Sequence, residues 1–195
     1  MMRSRVVSSL LLLTVFLLSI QSPLLLENSV KSGTSARSQT IWSGQVILNS
    51  DYTISVTDEL VIEECTNITM SNDVRIYVEG RLTVEGTSIC PVYFDYAGGG
   101  DHMGIQFNAS SNGRGSKIDN ASIIHSTYGI TVYGSDPYLA NVTVFDPDDV
   151  GVDLFSSATP TIRNLVIDEA GQDWSFPIYW RYGIGLSIGA GSAPN

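Results

Sequence analysis

Three ionisable side chains recur at a fixed place in this sequence. His125, Asp146 and Glu169 each follow an asparagine of a repeated motif by five residues. If the repeats stack as β-strands, these side chains lie about 5 Å apart on successive layers. Carboxylates at that spacing suit the acid pair of a retaining glycosidase or a Ca²⁺ site. The alternative is a set of ordinary polar turns, because the Asp-Pro-Asp-Asp sequence at residues 146–149 is typical of a turn.

A second candidate site is a stretch rich in aromatic residues near the end of the sequence. Residues 173–182 combine these rings with an acid and an arginine, as do surfaces that stack on sugars or anchor a protein partner. The alternative is that the stretch folds back and covers apolar surface. The five aromatic residues are Trp174, Phe176, Tyr179, Trp180 and Tyr182.

The asparagines belong to a motif that reads apolar, any, Asn, apolar, any, apolar. It occurs three times, and its asparagines are Asn120, Asn141 and Asn164, which lie 21 and then 23 residues apart. Repeats of this length, filled by two-residue alternation, predict stacked coils of short β-strands. A column of asparagines can then hydrogen-bond from coil to coil and satisfy buried backbone groups.

A second motif, glycine followed by apolar, any, apolar, alternates with the first. It begins at Gly104, Gly129, Gly151 and Gly183. We expect three short strands in each coil, with insertions at residues 97–101 and 171–181. Two columns of equivalent apolar positions follow, namely Ile54, Ile76, Ile105, Ile130, Val152 and Ile184 for one strand, and Met70, Phe94, Ile123, Val144 and Ile167 for another.

With these repeats, the chain resembles the right-handed parallel β-helices of the pectate-lyase-like superfamily, in the form found in exported and surface-attached repeat proteins. The resemblance is carried by WSGQVILNSDYTISVTDELVIEECTNITMSNDVRIYVEGRLTVEGT, by PVYF and MGIQF, and by the two motifs. It implies an all-β solenoid of about five to six coils. Two positions depart from it: Glu64-Cys65 stands where a Pro-Gly turn is common, and Met103 where tryptophan is common. The superfamily contains lyases, hydrolases, adhesins and structural spikes, so the fold alone selects no function.

The two cysteines are spaced by one coil. Cys65 and Cys90 lie 25 residues apart, and stacked coils would place their Cα atoms about 5 Å apart, which a disulfide can bridge. Export from the cytoplasm permits such a bond. The alternative is a pair of buried thiols that pack as small apolar residues.

Four sequons for N-glycosylation occur, at Asn67, Asn108, Asn120 and Asn141. Asn120 and Asn141 belong to the predicted column, and Asn67 fits the same pattern, so a glycan there would disturb hydrogen bonds within the stack. Asn108, beside a turn-like sequence, is therefore the candidate acceptor.

The N-terminal segment predicts export. Residues 1–26 contain two arginines followed by an apolar run, which is typical of a signal peptide or a membrane anchor. Residues 27–39 read as a flexible linker. Residues 40–195 form the predicted β-helix domain, with residues 40–50 as an N-terminal cap. We therefore expect a secreted or cell-surface protein.

Charge and motifs limit the possible partners. The formal net charge is −10 at pH 7, which argues against nucleic acid and anionic membranes. Contact with a membrane is expected only through the N-terminal segment. The sequence contains no zinc-binding spacing, phosphate loop or nucleophile elbow, and no arginine in a context typical of a catalytic base. We predict no cofactor, with Ca²⁺ as the one alternative.

The end of the sequence and the repeats together lead to a functional expectation. Pro137 and Pro160 each precede an apolar residue and an asparagine, whereas Pro194 is followed only by Asn195. We therefore expect a fragment of a longer repeat protein with further coils beyond Asn195. The predicted role is structural, adhesive or carbohydrate-binding, with polysaccharide or other surface proteins as partners and no catalytic activity. The alternative is a polysaccharide lyase or glycoside hydrolase whose groove is lined by Asp146, Glu169 and the aromatic insertion.

Overall fold

A computed structural model describes residues 37–171 and 183–195. In this part of the chain, the strands wind into a parallel solenoid of about six coils, which confirms the predicted all-β solenoid. A short 3₁₀ helix covers Ala109–Ser111. The strands are β1 Ser38–Trp42, β2 Gln45–Leu48, β3 Tyr52–Ile54, β4 Asp58–Glu63, β5 Asn67–Met70, β6 Ile76–Val78, β7 Arg81–Glu85, β8 Val92–Tyr96, β9 Ile105–Phe107, β10 Lys117–Tyr133, β11 Tyr138–Phe155, β12 Thr161–Asp168 and β13 Ile184–Ile188.

Three faces run along the solenoid, each a ladder of parallel strands. The first face consists of β1, β4, β7 and the first parts of β10, β11 and β12. The second face consists of β2, β5, β8 and the following parts of the same three long strands. The third face consists of β3, β6, β9, the last parts of β10 and β11, and β13. Each coil therefore turns twice between its three strands, and these turns form two corners.

The core follows from the alternation along each strand. In β6, Ile76 and Val78 are buried while Tyr77 between them points outward and is half-buried. Phe94 and Phe107 are the largest of the fully buried side chains. Because a single coil has only a few inward residues, its apolar side chains are removed from water mainly by the coils above and below.

The predicted columns of equivalent residues are correct in the middle of the solenoid and wrong by two residues toward its ends. The positions assigned to Ile54, Met70 and Ile184 are taken by Tyr52, Ile68 and Leu186. Two-residue alternation determines which face of the strand is buried, but a shift of two residues keeps the same face. The sequence pattern therefore does not distinguish these two registers.

The two ends of the described solenoid differ in how far they are covered. Residues 40–50, for which a cap was predicted, contain β2 and part of β1, and these strands pair in register with β5 and β4. Trp42 packs there on Tyr52, with ring centroids 4.8 Å apart. At the other end, Ile184 and Ile188 remain 47% and 51% exposed. The further coils expected beyond Asn195 stay a prediction.

Within residues 37–171 and 183–195, no helix is long and apolar enough to cross a membrane. The predicted signal segment, most of the predicted linker and the five aromatic residues between 174 and 182 lie outside the described residues.

Candidate functional site

The first corner, between the first and second faces, holds the asparagines predicted to form a column. Strand register places Asn120, Asn141 and Asn164 on successive coils, with φ of 50–52°. Asn164 Nδ2 donates to Asn141 Oδ1 at 2.9 Å, and Asn141 Nδ2 donates to Asp119 Oδ1 at 3.0 Å. Asn120 Nδ2 donates to the Gly86 carbonyl at 3.2 Å, so the chain of bonds reaches the preceding coil. The structure thus brings the three asparagines together, and Asn is favoured there because it tolerates the left-handed conformation.

The predicted disulfide also lies at the first corner. Cys65 and Cys90 are bonded, with Cα atoms 4.8 Å apart, and this confirms the pairing. The Cys65 backbone N–H donates to the Cys90 carbonyl at 3.2 Å. Asn67, in contrast, does not belong to the asparagine column, because it lies within β5 opposite Tyr93. The first corner is therefore joined covalently in its early coils and by side-chain amides in its later ones.

The second corner, between the second and third faces, holds the predicted ionisable column. His125, Asp146 and Glu169 lie on successive coils and have φ of 51–55°. Unlike the asparagines, these three residues are not joined to one another by described side-chain contacts. His125 Nδ1 lies 3.0 Å from Asp95 Oδ1 of the preceding coil, and the Glu169 side chain is exposed. The stacking is present, but this corner is not closed by a chain of side-chain bonds.

An acidic cleft of about 420 Å³ opens at the second corner. It collects polar residues from turns of four coils, because the insertion at residues 97–101 folds over the corner toward the turn at residues 146–149. Its lining residues are Asn72, Asp73, Gly100, Asp101, Thr127, Asp148 and Asp149. None of the three residues predicted as an ionisable column, His125, Asp146 and Glu169, is among the residues that line this cleft.

Two aspartates of the cleft influence each other. Asp101 and Asp148 both line it. Burial, followed by the interaction with Asp148 and the charge of Asp146, raises the pKa of Asp101 from 3.8 to about 6, while His125 acts in the opposite direction. Asp101 therefore keeps its proton to a higher pH than an exposed aspartate does.

His102 supports this corner from inside. Its side chain is fully buried, with Nε2 3.1 Å from the Ile124 carbonyl and Nδ1 accepting from the Gly104 N–H at 3.0 Å. Burial lowers the pKa of His102 from 6.5 to about 4, so the ring is neutral at pH 7. We assign it a structural role, because both ring nitrogens are used by the backbone.

A groove of about 350 Å³ lies on the third face, next to the acidic cleft. We call it the third-face groove, and it is lined by Arg75, Met103, Gln106, Tyr128, Thr131, Asp153 and Phe155. Tyr128 lies between the two depressions, because it lines the groove and the charge of Asp149, which lines the cleft, acts on its hydroxyl. Burial and the Asp149 charge raise the pKa of Tyr128, so its hydroxyl keeps its proton.

Arg75 is fixed at the wall of the third-face groove. Its Nε donates to the Met103 carbonyl at 3.0 Å, and Nη1 donates to Gln106 Oε1 at 2.5 Å. The guanidinium carbon lies 5.9 Å from the ring centroid of Tyr77 and 5.6 Å from that of Tyr128, in the range of cation–π contacts. A guanidinium has five N–H donors, so three remain beyond these two bonds.

Asn108, the candidate glycan acceptor, is the next member of this hydrogen-bonded row. Gln106 Nε2 donates to Asn108 Oδ1 at 2.7 Å, and Asn108 Nδ2 donates to Glu79 Oε1 at 2.5 Å. The Ser110 hydroxyl of the same sequon also donates to Glu79. The amide nitrogen that would carry a glycan is thus half-buried and bonded, and glycosylation stays a prediction.

The groove residues were missed in the sequence although the repeat contained a signal for them. Gln106, Thr131 and Asp153 are the "any" positions of the glycine motif, and strand register stacks them in one outward column. The glycine that begins the motif is required at position 129, because a β-carbon there would overlap the Gly151 carbonyl oxygen. Reading the outward positions of the repeat as a column would have located the groove.

In the part of the chain described here, no three His, Cys, Asp or Glu side chains are arranged to hold a metal ion, and the Ca²⁺ site stays a prediction. The fold and the two depressions define a parallel β-solenoid with a polar lateral surface. No protein-family model, no curated protein and no solved structure matches this chain.

Proposed function

We propose that this protein is an exported or surface-attached β-solenoid that binds polysaccharide in the third-face groove without cleaving it. The observation that carries the proposal is the groove itself. Its wall combines a fixed guanidinium, an amide, a carboxylate and two aromatic rings within one depression of about 350 Å³. A sugar ring offers hydroxyl groups at its rim and C–H groups on its faces, and these match such a set of polar groups and rings.

Repetition supports a polymeric ligand. The outward column of the third face continues over successive coils, with Tyr77, Gln106, Thr131 and Asp153 stacked in register. Coil-to-coil spacing in such stacks is about 4.8 Å, close to the length of a sugar ring, so a chain of sugars can lie along the solenoid axis. The resemblance to pectate-lyase-like β-helices is in keeping with this class of ligand, and superfamily membership is part of the proposal.

Export is supported by the disulfide. Disulfides persist in oxidising compartments and are rare in the cytosol. The bond between Cys65 and Cys90 therefore agrees with the predicted signal segment and with a secreted or cell-surface location.

The test is binding of the full chain to a panel of neutral, acidic and amino-sugar polysaccharides by affinity gel electrophoresis. We expect at least one polysaccharide to retard the protein, with no release of reducing ends. Tyr128→Ala should weaken that binding about tenfold, because it removes a ring of the groove and the partner of Arg75. The matched control is Tyr93→Ala, an exposed tyrosine on the second face, which should bind as the wild type does. Retardation by none of the polysaccharides, or equal loss in both variants, would contradict the proposal.

A second candidate is a glycoside hydrolase that uses Asp101 as its general acid. The observation in its favour is the pKa of about 6, since a general acid works best when its pKa lies near the operating pH. Sustained release of reducing ends that disappears in Asp101→Asn would establish this second function and reject the first.

A further inference from the structure

A row of hydrogen-bonded side chains crosses the third face and ends in the third-face groove. Arg75 Nη1 donates to Gln106 Oε1 at 2.5 Å, and Gln106 Nε2 donates to Asn108 Oδ1 at 2.7 Å. Asn108 Nδ2 donates in turn to Glu79 Oε1 at 2.5 Å, and the Ser110 hydroxyl donates to the same carboxylate. Arg75 and Gln106 line the groove, whereas Asn108 and Glu79 are not among its lining residues.

The groups at the two ends allow this row to run in one direction only. A guanidinium has donors and no acceptor, and an ionised carboxylate has acceptors and no donor. Each amide between them therefore turns its oxygen toward Arg75 and its nitrogen toward Glu79. A reversed amide would place two donors or two acceptors against each other and would lose a hydrogen bond.

The backbone holds the carboxylate end of the row in place. The Glu79 N–H donates to the Ile54 carbonyl at 3.0 Å, and the Asn108 N–H donates to the Val78 carbonyl at 3.0 Å. These bonds belong to the parallel stacking of β6 and β9, which brings Asn108 next to Glu79 one coil away. Both residues are half-buried. The direction of the Gln106 amide is thus set before a ligand arrives.

The direction of the row determines which groups the groove offers to a sugar. The Gln106 carbonyl oxygen lies against the guanidinium, so an acceptor and the remaining Arg75 donors are side by side. A hydroxyl group can donate to the first and accept from the second, whereas a carboxylate can only accept. Asp153 also lines the groove and repels a further negative charge. This arrangement suits the hydroxyl groups of a neutral sugar better than a sugar acid.

We propose that Glu79 fixes the amide direction of the row and thereby makes the third-face groove select neutral polysaccharides over acidic ones. Glu79 is a positioning residue, because it acts on the ligand through Asn108 and Gln106. The inference rests on the proposed function, since it names the class of polysaccharide that the same groove takes. A free or reversed Gln106 amide would add donors beside Arg75, which is the arrangement that a carboxylate needs. Loss of the Glu79 acceptor should therefore reduce the preference without abolishing binding.

The first measurement uses the ligand-free full chain. NMR follows hydrogen exchange of the Gln106 and Asn108 side-chain amides, whose signals are assigned with Gln106→Glu and Asn108→Asp. We expect slow exchange in the wild type, because each amide donates one N–H within the row. Glu79→Gln still offers an acceptor to Asn108 and should keep the exchange slow. Glu79→Ala should accelerate it at both amides, and Gln106 is the informative one because Glu79 does not contact it.

The second measurement compares each acidic polysaccharide of the panel with its carboxyl-reduced form, which keeps the rings and linkages but carries hydroxymethyl groups in place of carboxylates. We expect the wild type to bind the reduced form about tenfold more tightly or better. The preference should persist in Glu79→Gln and fall to about threefold or less in Glu79→Ala, although both variants remove the same charge. Glu63→Ala, which removes an exposed acid of the first face, is the matched control and should keep the wild-type preference.

Equal or tighter binding of the acidic form overturns the inference, and so does a preference that Glu79→Ala leaves unchanged. Slow exchange of the Gln106 amide that survives in Glu79→Ala overturns it as well. In each of these cases, binding that Tyr128→Ala weakens still upholds the proposed function. If no polysaccharide of either kind binds, the proposed function fails and the inference fails with it.

Discussion

The two corners of the solenoid share a backbone conformation but differ in what their side chains do. Both place a left-handed residue on the fourth, fifth and sixth coils, as at Asn141 and Asp146. At the first corner, amide side chains bond from coil to coil. At the second corner, the corresponding residues are ionisable, and neighbouring turns add acids. The first corner is built for stability, whereas the second leaves polar groups available to a ligand or a proton.

The difference teaches that left-handed turns alone do not indicate a site. Asparagine and aspartate both tolerate this conformation, so the backbone accepts either residue. An amide has donors and an acceptor and can bond to a copy of itself one coil away, whereas two ionised carboxylates repel. Residue type at the corner therefore separates a structural column from a candidate functional one.

The largest expected effect comes from breaking the covalent link of the first corner. Replacing both cysteines, Cys65→Ala with Cys90→Ala, should lower the free energy of unfolding by about 3.5 kcal/mol, because the bond closes a loop of 25 residues in the unfolded chain. Urea denaturation measures this loss, and reduced wild type should behave like the double variant. A loss below about 1 kcal/mol would mean that the first corner does not depend on the disulfide.

The two histidines provide the next comparison, because one lies beneath the second corner and the other on its surface. His102→Ala leaves a cavity and removes the hydrogen-bond acceptor of the buried Gly104 N–H and the contact with the Ile124 carbonyl, so it should cost about 3 kcal/mol of unfolding free energy. His125→Ala loses only an exposed contact with Asp95 and should change stability by less than about 0.5 kcal/mol. Thermal and urea unfolding check both values. Equal losses of unfolding free energy in the two variants would show that the side chains on the surface of this corner also stabilise the fold.

Matched glycine substitutions compare the corners directly. Asn141→Gly keeps the left-handed conformation but removes two exposed hydrogen bonds, so it should destabilise the protein by about 0.5–1 kcal/mol. Asp146→Gly relieves the same backbone conformation and removes a charge that acts on Asp101, so we expect no loss or a small gain. Urea denaturation of the pair is the measurement. A greater loss of stability in Asp146→Gly than in Asn141→Gly would contradict this comparison, because the side chains of the second corner would then contribute more to stability than those of the first.

The pH dependence of stability provides a further comparison. The lowered pKa of His102 makes stability rise as pH rises from about 4 to 6.5, because only the unfolded chain binds the proton there. The raised pKa of Asp101 makes stability fall as pH rises from 3.8 to about 6, because only the folded chain keeps that proton. Asp148→Asn should lower the pKa of Asp101 and leave the His102 contribution alone. Its unfolding free energy should therefore rise more steeply than that of the wild type between pH 4 and 6, and equal slopes would mean that Asp148 does not raise the pKa of Asp101.

Much of the fold could be predicted because it repeats. The inward residues, the asparagine column and the cysteine pair each depend on spacing within one coil. The register at Tyr52 and Leu186 could not be predicted, because a shift of two residues leaves the buried face unchanged.

The candidate site was harder to predict because insertions and outward residues form it. Asp101 and Asp148 are separated by 47 positions in sequence and meet only because the insertion folds across a corner. Arg75 precedes a strand and was not part of either repeated motif. Asp146, which was named from the sequence, does not line the cleft, although its charge acts on Asp101.

The most direct test of this division between the corners is calorimetric titration of the selected polysaccharide into two variants of the full chain. Asn141→Gly alters the first corner, and Tyr128→Ala alters the third-face groove next to the second. We predict that Asn141→Gly binds with the wild-type Kd, while Tyr128→Ala binds about tenfold more weakly. The opposite order, with affinity lost at Asn141 and kept at Tyr128, would contradict the account.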